Sequence, residues 1–347
     1  MATNGLIDLS SDTATQPTQA MRDFMAQAPV GDEQRREDPS VNRLQDIAAE
    51  LTGKEAALFL PSGTMCNAIA IKIHTQPGEE LILDKTAHPY TSEGGGPAAL
   101  AGVSVALLDG ERGVFTAEQV AAAIRNTGPH SPQSRLVSME NTTNAGSGKV
   151  WPFETAREVA ALASERGLKS HIDGARLMNA VIASGIPASD WGGLVDTIWI
   201  DLSKGLGCPV GAVLCGSVED MERARRYKHL YGGAMRQAGI IAAAGIYAFE
   251  HHVERLAEDH ANAKKLATGL AEIPGIQIEP DDIETNIVFF DVSETGRTGD
   301  EISAGTTEKG VRMGGRGNRI RAVTHLDISS DDIDQALETI HEVVVSG

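Results

Sequence analysis

The 347-residue sequence predicts an α/β protein: a large, mostly parallel sheet flanked by helices, followed by a smaller C-terminal α/β domain. Three observations carry that prediction. Strand-like and helix-like segments alternate through the first two-thirds of the chain, the spacing of βαβ units. The character of the sequence changes near residue 235. The length suits about two domains, and 41% hydrophobic with 22% charged residues is the balance of a globular chain.

The elements follow in order. Residues up to about 40 are polar and weakly periodic, and read as an arm reaching across to another part of the molecule. MATNGLIDLSSDT lacks the charged and long apolar regions of a signal peptide. PSGTMCNAIAIKI (61–73) is a small-residue turn opening a helix. Thr116 and Gln119 form a capping-box pattern before EQVAAAIRN. RLVSME (135–140) is a strand, and Pro152 sits in the first turn of a helix that Gly167 stops. KSHID (169–173) reads as strand, ARLMNAVIASG as helix and TIWIDLS (197–203) as strand. VGAVLCG (210–216) reads as a further strand, antiparallel to the rest. One long amphipathic helix is expected from Met235 to about Leu270, then strands at GIQIE (275–279) and NIVFFDV (286–292). A short helix, the stretch VRMGGRGNRIRAVTH and a final helix at 331–345 complete the chain. Residues 1–235 then form the arm and large domain, and 236–347 the linking helix and small domain.

Charge narrows the partners. A net charge of −18 disfavours nucleic acid and anionic membrane surfaces. No apolar run reaches the ~20 residues of a membrane helix. The three cysteines lack CxxC spacing and cannot all pair, which fits a reduced, cytoplasmic enzyme. No cluster of metal ligands is visible.

The chemistry-bearing residues are few. Lys204, in DLSKGLG, lies just past a strand; such a lysine is ordinarily solvated, but a buried one can form a Schiff base with a carbonyl cofactor. Asp173, in HIDGAR, ends a strand, where it either caps the next helix or faces the ligand crevice of an open sheet. Together, a lysine and an aspartate at two strand ends form the pair that pyridoxal 5'-phosphate (PLP) requires, the aspartate keeping the ring nitrogen protonated. Gly63 and Thr64, in PSGTMCN, open a helix whose free amides suit a phosphate. His88 or Tyr90, in HPYTSEGGG, can cover a flat ring. Arg176, Arg236, Arg319 and Arg321 are candidate carboxylate clamps, and alternation puts Arg319 and Arg321 on one strand face.

Seven motifs then carry a family resemblance: SSDTATQPTQAMR, GDEQRREDPSVN, KEAALFLPSGTMCN, HIDGARLMNA, LSKGLGCPVGAVL, GGAMRQAG and RAVTHLD. In this order, over nearly the whole chain, they resemble the low-specificity L-threonine aldolases, fold-type I PLP enzymes of the β-eliminating lyase group. The resemblance implies a homotetramer with active sites at a dimer interface. It makes Lys204 the Schiff-base lysine, Asp173 the ring-nitrogen partner, and His88 the ring-stacking group that helps in proton transfer. Gly63 and Thr64 would bind phosphate, with Arg236 near it from the neighbouring subunit. Ser11, Arg176 and Arg321 would hold the substrate carboxylate. The implied reaction is retro-aldol cleavage of a β-hydroxy-α-amino acid to glycine and an aldehyde.

The chain departs from that pattern where the β-substituent should lie. Arg35 and Arg36 precede Glu37 where the family has Tyr-Gly, Thr143 replaces a histidine, and Ser10 stands where arginine is frequent. Two readings follow for Arg35 and Arg36: they select an acidic side chain such as that of 3-hydroxyaspartate, or they pair with nearby acids on a surface loop. Other PLP reactions at Cα, such as β-elimination, and a non-catalytic PLP-fold protein are the competing functions. A nicotinamide enzyme is disfavoured because no GxGxxG follows an early strand. The glycines of GGRGNR (314–319) read as a turn or bulge.

Overall fold

A computed structural model describes residues 5–126 and 128–345. The strands, in chain order, are β1 (Ile7–Asp8), β2 (Ala56–Leu60), β3 (Glu80–Asp84), β4 (Ser104–Leu108), β5 (Ser134–Glu140) and β6 (Lys169–Asp173). They continue with β7 (Thr197–Asp201), β8 (Ala212–Gly216), β9 (Ile287–Asp291), β10 (Val311–Arg312), β11 (Gly314–Arg316) and β12 (Arg319–Val323).

A seven-stranded sheet in the order β2-β8-β7-β6-β5-β3-β4 forms the centre. The pairs among β4, β3, β5, β6 and β7 are parallel. β8 runs antiparallel to both β7 and β2, so it alone opposes the others. Each residue of β3, β7 and β8 is buried, because helices cover both faces of the sheet. On one face the helices Pro39–Thr52, Phe153–Glu165 and Gly239–His251 close a core around Leu44, Val159 and Ala244. On the other, the helices Gly63–His74 and Val218–Leu230 bury Ile69, Ile73 and Met221 against Trp199 and Leu214. The mostly parallel sheet predicted from the alternation is present, with β8 antiparallel as expected.

A second core gathers the helices Leu256–Ala271, Gly299–Glu308 and Ser330–Val345 on the antiparallel sheet β11-β12-β9. The N-terminal arm crosses to it: β1 pairs in parallel with β10, and Ile7 and Leu9 join this core. The arginine-rich GGRGNR segment turns between β11 and β12 at Gly317-Asn318.

Two expected elements differ. The helix from Met235 to Leu270 is two helices, Gly239–His251 and Leu256–Ala271. At the break, the ring of His252 reaches the Leu206 carbonyl at 2.8 Å, a contact 46 residues away in sequence. GIQIE is not a strand: only Gln277 bridges to Asp291, since Gly275 at φ 84° and the turn at Pro280 leave no length for a ladder.

Candidate active site

Three adjacent parallel strands end in acids: β5 in Glu140, β6 in Asp173 and β7 in Asp201. The carboxyl ends of parallel strands are where open α/β sheets bind ligands. Here they open into a cavity of about 330 Å³ that also takes in Ser11, Gly63, Thr64, His88, Arg176, Lys204 and Arg321.

Lys204 enters from the turn after β7. Its Nζ donates to Asp201 Oδ2 at 2.8 Å and lies 5.7 Å from the centre of the Trp199 ring. Asp201 Oδ1 accepts from the Ser203 amide at 2.7 Å and its hydroxyl at 2.8 Å. The tight 201–204 turn therefore presents the ammonium to the cavity.

Asp173 is buried at the end of β6. Asn67 Nδ2 donates to its Oδ2 at 2.8 Å, and the Ala175 amide to its Oδ1 at 3.1 Å. Burial first, then the charges of Glu140 and Glu93, push its carboxyl up to about 7, against Lys204 and Asn67. A buried acid with more negative than positive company has room for a cationic partner.

His88 is held twice. Its backbone amide donates to Glu140 Oε2 at 2.8 Å, and its Nδ1 lies 2.8 Å from Glu93 Oε1. The Glu93 hydrogen bond raises the imidazole above its ordinary range, against partial burial. The ring is 41% exposed, on the open side of the cavity, whereas Glu93 behind it is 2% exposed.

The helix Gly63–His74 points its N-terminus into the cavity, with Ser62 as cap accepting from the Met65 amide at 3.2 Å. First-turn amides have no partner inside a helix and favour an anion. A Cβ on Gly63 would overlap the Trp199 ring, so only glycine lets the turn sit this close.

Two arginines line the opposite side. Arg176 is buried and bound in bidentate fashion by Asp12, with two contacts of 2.7 Å. Burial pushes the Asp12 carboxyl up, but Arg176, with Lys204 and Arg321 farther off, outweighs it and holds the acid well below the usual carboxylate range. Arg321 donates to Asn144 Oδ1 at 3.0 Å and to the Ser10 carbonyl at 3.3 Å. Its Nε is buried with no partner. Burial and Arg176 push Arg321 down to about 10, so it stays cationic at neutral pH. Arg321 lines the cavity, and a cationic guanidinium there suits a carboxylate.

The structure brings Lys204, Asp173, His88, Gly63, Thr64, Ser11, Arg176 and Arg321 together. It does not bring Arg35, Arg36, Arg236 or Thr143 to the cavity of this chain. Arg35 is 74% exposed, 3.9 Å from Asp32, and Arg36 pairs with Glu222. Arg236 pairs with Asp32 at 3.0 Å on the surface. Thr143 is buried beside Gly113 and Gly146 and does not line the cavity. Arg319, two residues from Arg321 on β12, lies 3.7 Å over the Phe289 ring instead of entering the cavity. Tyr90 is exposed.

Sequence reasoning missed Asp12, Asn67, Glu93, Glu140 and Asp201. Glu140 carried a signal, since it ends a predicted strand as Asp173 does, and Asp201 lies near the end of the predicted strand 197–203. The other three act through contacts distant in sequence: Asp12 with Arg176, and Asn67 with Glu93 and Asp173.

The donor set suits PLP: an amine, a buried acid, an anion-binding helix end and an imidazole share one cavity with two arginines. Residues 8–293 match the sequence profile of the beta-eliminating lyases. The chain belongs to that family. It is 43% identical over 332 residues to the low specificity L-threonine aldolase of Escherichia coli (strain K12), covering 94% of this chain and 96% of that protein. It is 38% identical over 346 residues to low-specificity L-threonine aldolase 1 of Arabidopsis thaliana, covering 98% and 97%. The solved structure of the Leishmania major threonine aldolase superposes with a TM-score of 0.83 at 20% identity, over 98% of this chain and all of that one. The family read from the seven motifs is borne out, as is the fold class.

Proposed function

We propose that this chain is a PLP-dependent aldehyde-lyase that cleaves a β-hydroxy-α-L-amino acid of the L-threonine or L-allo-threonine type to glycine and an aldehyde. The observation that carries the reading is the convergence of Lys204, Asp173 and the Gly63 helix terminus on one cavity that also holds Arg321. Its relatives are named for this activity.

Lys204 would hold the cofactor covalently, Asp173 its ring nitrogen, Gly63 and Thr64 its phosphate, and His88 its open face. PLP, when bound, supplies an electron sink for the bond broken at Cα. The chain's own residues do the rest. Arg321, which lines the cavity, would hold the substrate carboxylate, with Arg176, fixed by Asp12, beside it. A carboxylate fixed there would orient the substrate in the cavity and disfavour loss of the carboxylate itself. His88 stands on the open side with an imidazole whose proton affinity Glu93 raises, placed to take or return a proton.

The cleavage of an acidic substrate selected by Arg35 and Arg36 finds no support within one chain, where both charges meet acids outside the cavity. A homotetramer with Arg236 reaching a neighbour's phosphate site fits its 62% exposure on the single chain. A cytoplasmic location fits the three buried cysteines, all free. Among the described residues no helix is long and apolar enough to cross a membrane. The reading is tested by glycine release from L-threonine and L-allo-threonine, with Lys204→Ala as control; glycine from the control as well, or from neither substrate with the wild type, would reject it.

A further inference from the structure

Asn67 lies one turn inside the helix Gly63–His74 and is buried. Its side chain makes four hydrogen bonds. Nδ2 donates to Asp173 Oδ2 at 2.8 Å and to Glu93 Oε1 at 2.8 Å. Oδ1 accepts from Trp199 Nε1 at 2.9 Å and from His171 Nε2 at 3.3 Å.

The orientation of the amide follows from chemistry. An indole N–H only donates, so the oxygen of Asn67 faces Trp199 and its amine faces the two carboxylates. His171 then donates from Nε2 and accepts from the Thr197 hydroxyl at Nδ1, 2.8 Å away. Burial first, then His74, pushes that imidazole down to about 3, so it is neutral and adds no charge to the network. An amide is the neutral side chain of this size that accepts on one side and donates twice on the other.

The two carboxylates have different tasks in the reading above. Asp173 would hold the ring nitrogen of the cofactor, and Glu93 holds the imidazole of His88 that would cover the ring. The helix that carries Asn67 also carries Gly63 and Thr64, one turn earlier, at the phosphate end. One helical turn therefore joins the contacts for three parts of one flat molecule.

We propose that Asn67 is a positioning residue for the cofactor: its single amine sets the ring-nitrogen carboxylate and the ring-covering imidazole at once, in register with the phosphate cradle. This rests on the PLP reading. Asp173 is faced by Glu140 from the end of β5, by Glu93 and His88 from the segment after β3, by Lys204 from beyond β7 and by Cys66 from the helix. Among these the donation from Asn67 favours the ionised acid that a protonated ring nitrogen needs.

The test is a PLP titration of the PLP-depleted full chain, wild type against Asn67→Ala, Asn67→Asp and Asn67→Ser, with a thermal melt of each to report folding. Loss of a donor shared by two carboxyl acceptors weakens PLP binding about tenfold or more in Asn67→Ala. Asn67→Asp keeps the shape and the acceptor for Trp199 but turns an acid toward two acids. It binds PLP more weakly than Asn67→Ala at neutral pH, and recovers as the pH falls and the new acid gains a proton to donate. Asn67→Ser, with one hydroxyl donor, falls between wild type and Asn67→Ala. A merely structural asparagine gives the reverse order, with Asn67→Asp close to wild type and Asn67→Ala impaired by its cavity. That order, or equal affinities throughout, overturns the proposal. If Asn67→Asp does not fold, no difference between Ser and Ala overturns it. A wild-type chain that fails to bind PLP overturns the cofactor reading itself, a separate outcome.

Discussion

Replacing Asp12 by asparagine isolates one buried charge. Asp12 is fully buried and Arg176 nearly so, joined by two contacts of 2.7 Å. Asp12 Oδ2 also accepts from Asn286 Nδ2 at 3.1 Å, so the acid ties the arm both to Arg176, beyond β6, and to the residue before β9. The substitution keeps the shape and turns an amine toward a guanidinium that has only donors. At an effective dielectric of about 20, opposite charges at about 4 Å attract by roughly 4 kcal/mol. Stranding one member of a buried pair costs about 3–5 kcal/mol. The two figures agree, and Asp12→Asn should lose about that much stability at pH 7.

The sign with pH follows from the depressed carboxyl of Asp12. A folded-state value below the unfolded one gives stability that is fully present above the unfolded value, about 3.9, and is lost as the pH falls through the folded value. Urea unfolding of wild type and Asp12→Asn should therefore show a constant gap from pH 5 to 8 that narrows only in strong acid. A gap under about 1 kcal/mol at pH 7 would refute the reasoning, because a stranded buried charge costs more than that. So would a gap that changes between pH 5 and 8.

Other outcomes follow from the same geometry. Gly63→Ala drives a methyl into the Trp199 ring, a strain of about 1–3 kcal/mol, and should weaken PLP roughly tenfold in a binding titration. Arg321→Ala should lower kcat/KM for L-threonine about 10- to 100-fold, mostly through KM, and Arg321→Lys should recover only part, because an ammonium cannot form the guanidinium fork. Light scattering should give a tetramer, and Arg236→Ala should weaken PLP retention in that assembly; a monomer that turns over at full rate contradicts the neighbour's role for Arg236.

The parts of the molecule that could be read from the sequence are those governed by local rules. Period and flanking turns mark the strands at 134–140, 169–173, 197–201 and 212–216. The capping box at Thr116 and Gln119 forms with both of its hydrogen bonds. What failed depends on distant contacts. The break near His252 has no Gly or Pro to announce it, and is set against the Leu206 carbonyl. GIQIE has strand composition but meets a partner only at Gln277. The site divides in the same way. Lys204 and Asp173 stand at strand ends, where topology alone aims them at one crevice. Arg319 and Arg321 share a face of β12, yet only Arg321 lines the cavity, while Arg319 stacks on Phe289. Asn67 sits in an apolar helix that reads as ordinary core, and its meaning appears only once Trp199, Asp173 and Glu93 surround it.

The most direct measurement is glycine release by purified, PLP-loaded protein from L-threonine, L-allo-threonine, phenylserine and the L-3-hydroxyaspartate diastereomers, beside Lys204→Ala. The account predicts glycine from L-threonine or L-allo-threonine, lost in the control. No glycine from any of these substrates, with PLP demonstrably bound, would contradict it and place the chemistry of this cavity at another bond of Cα.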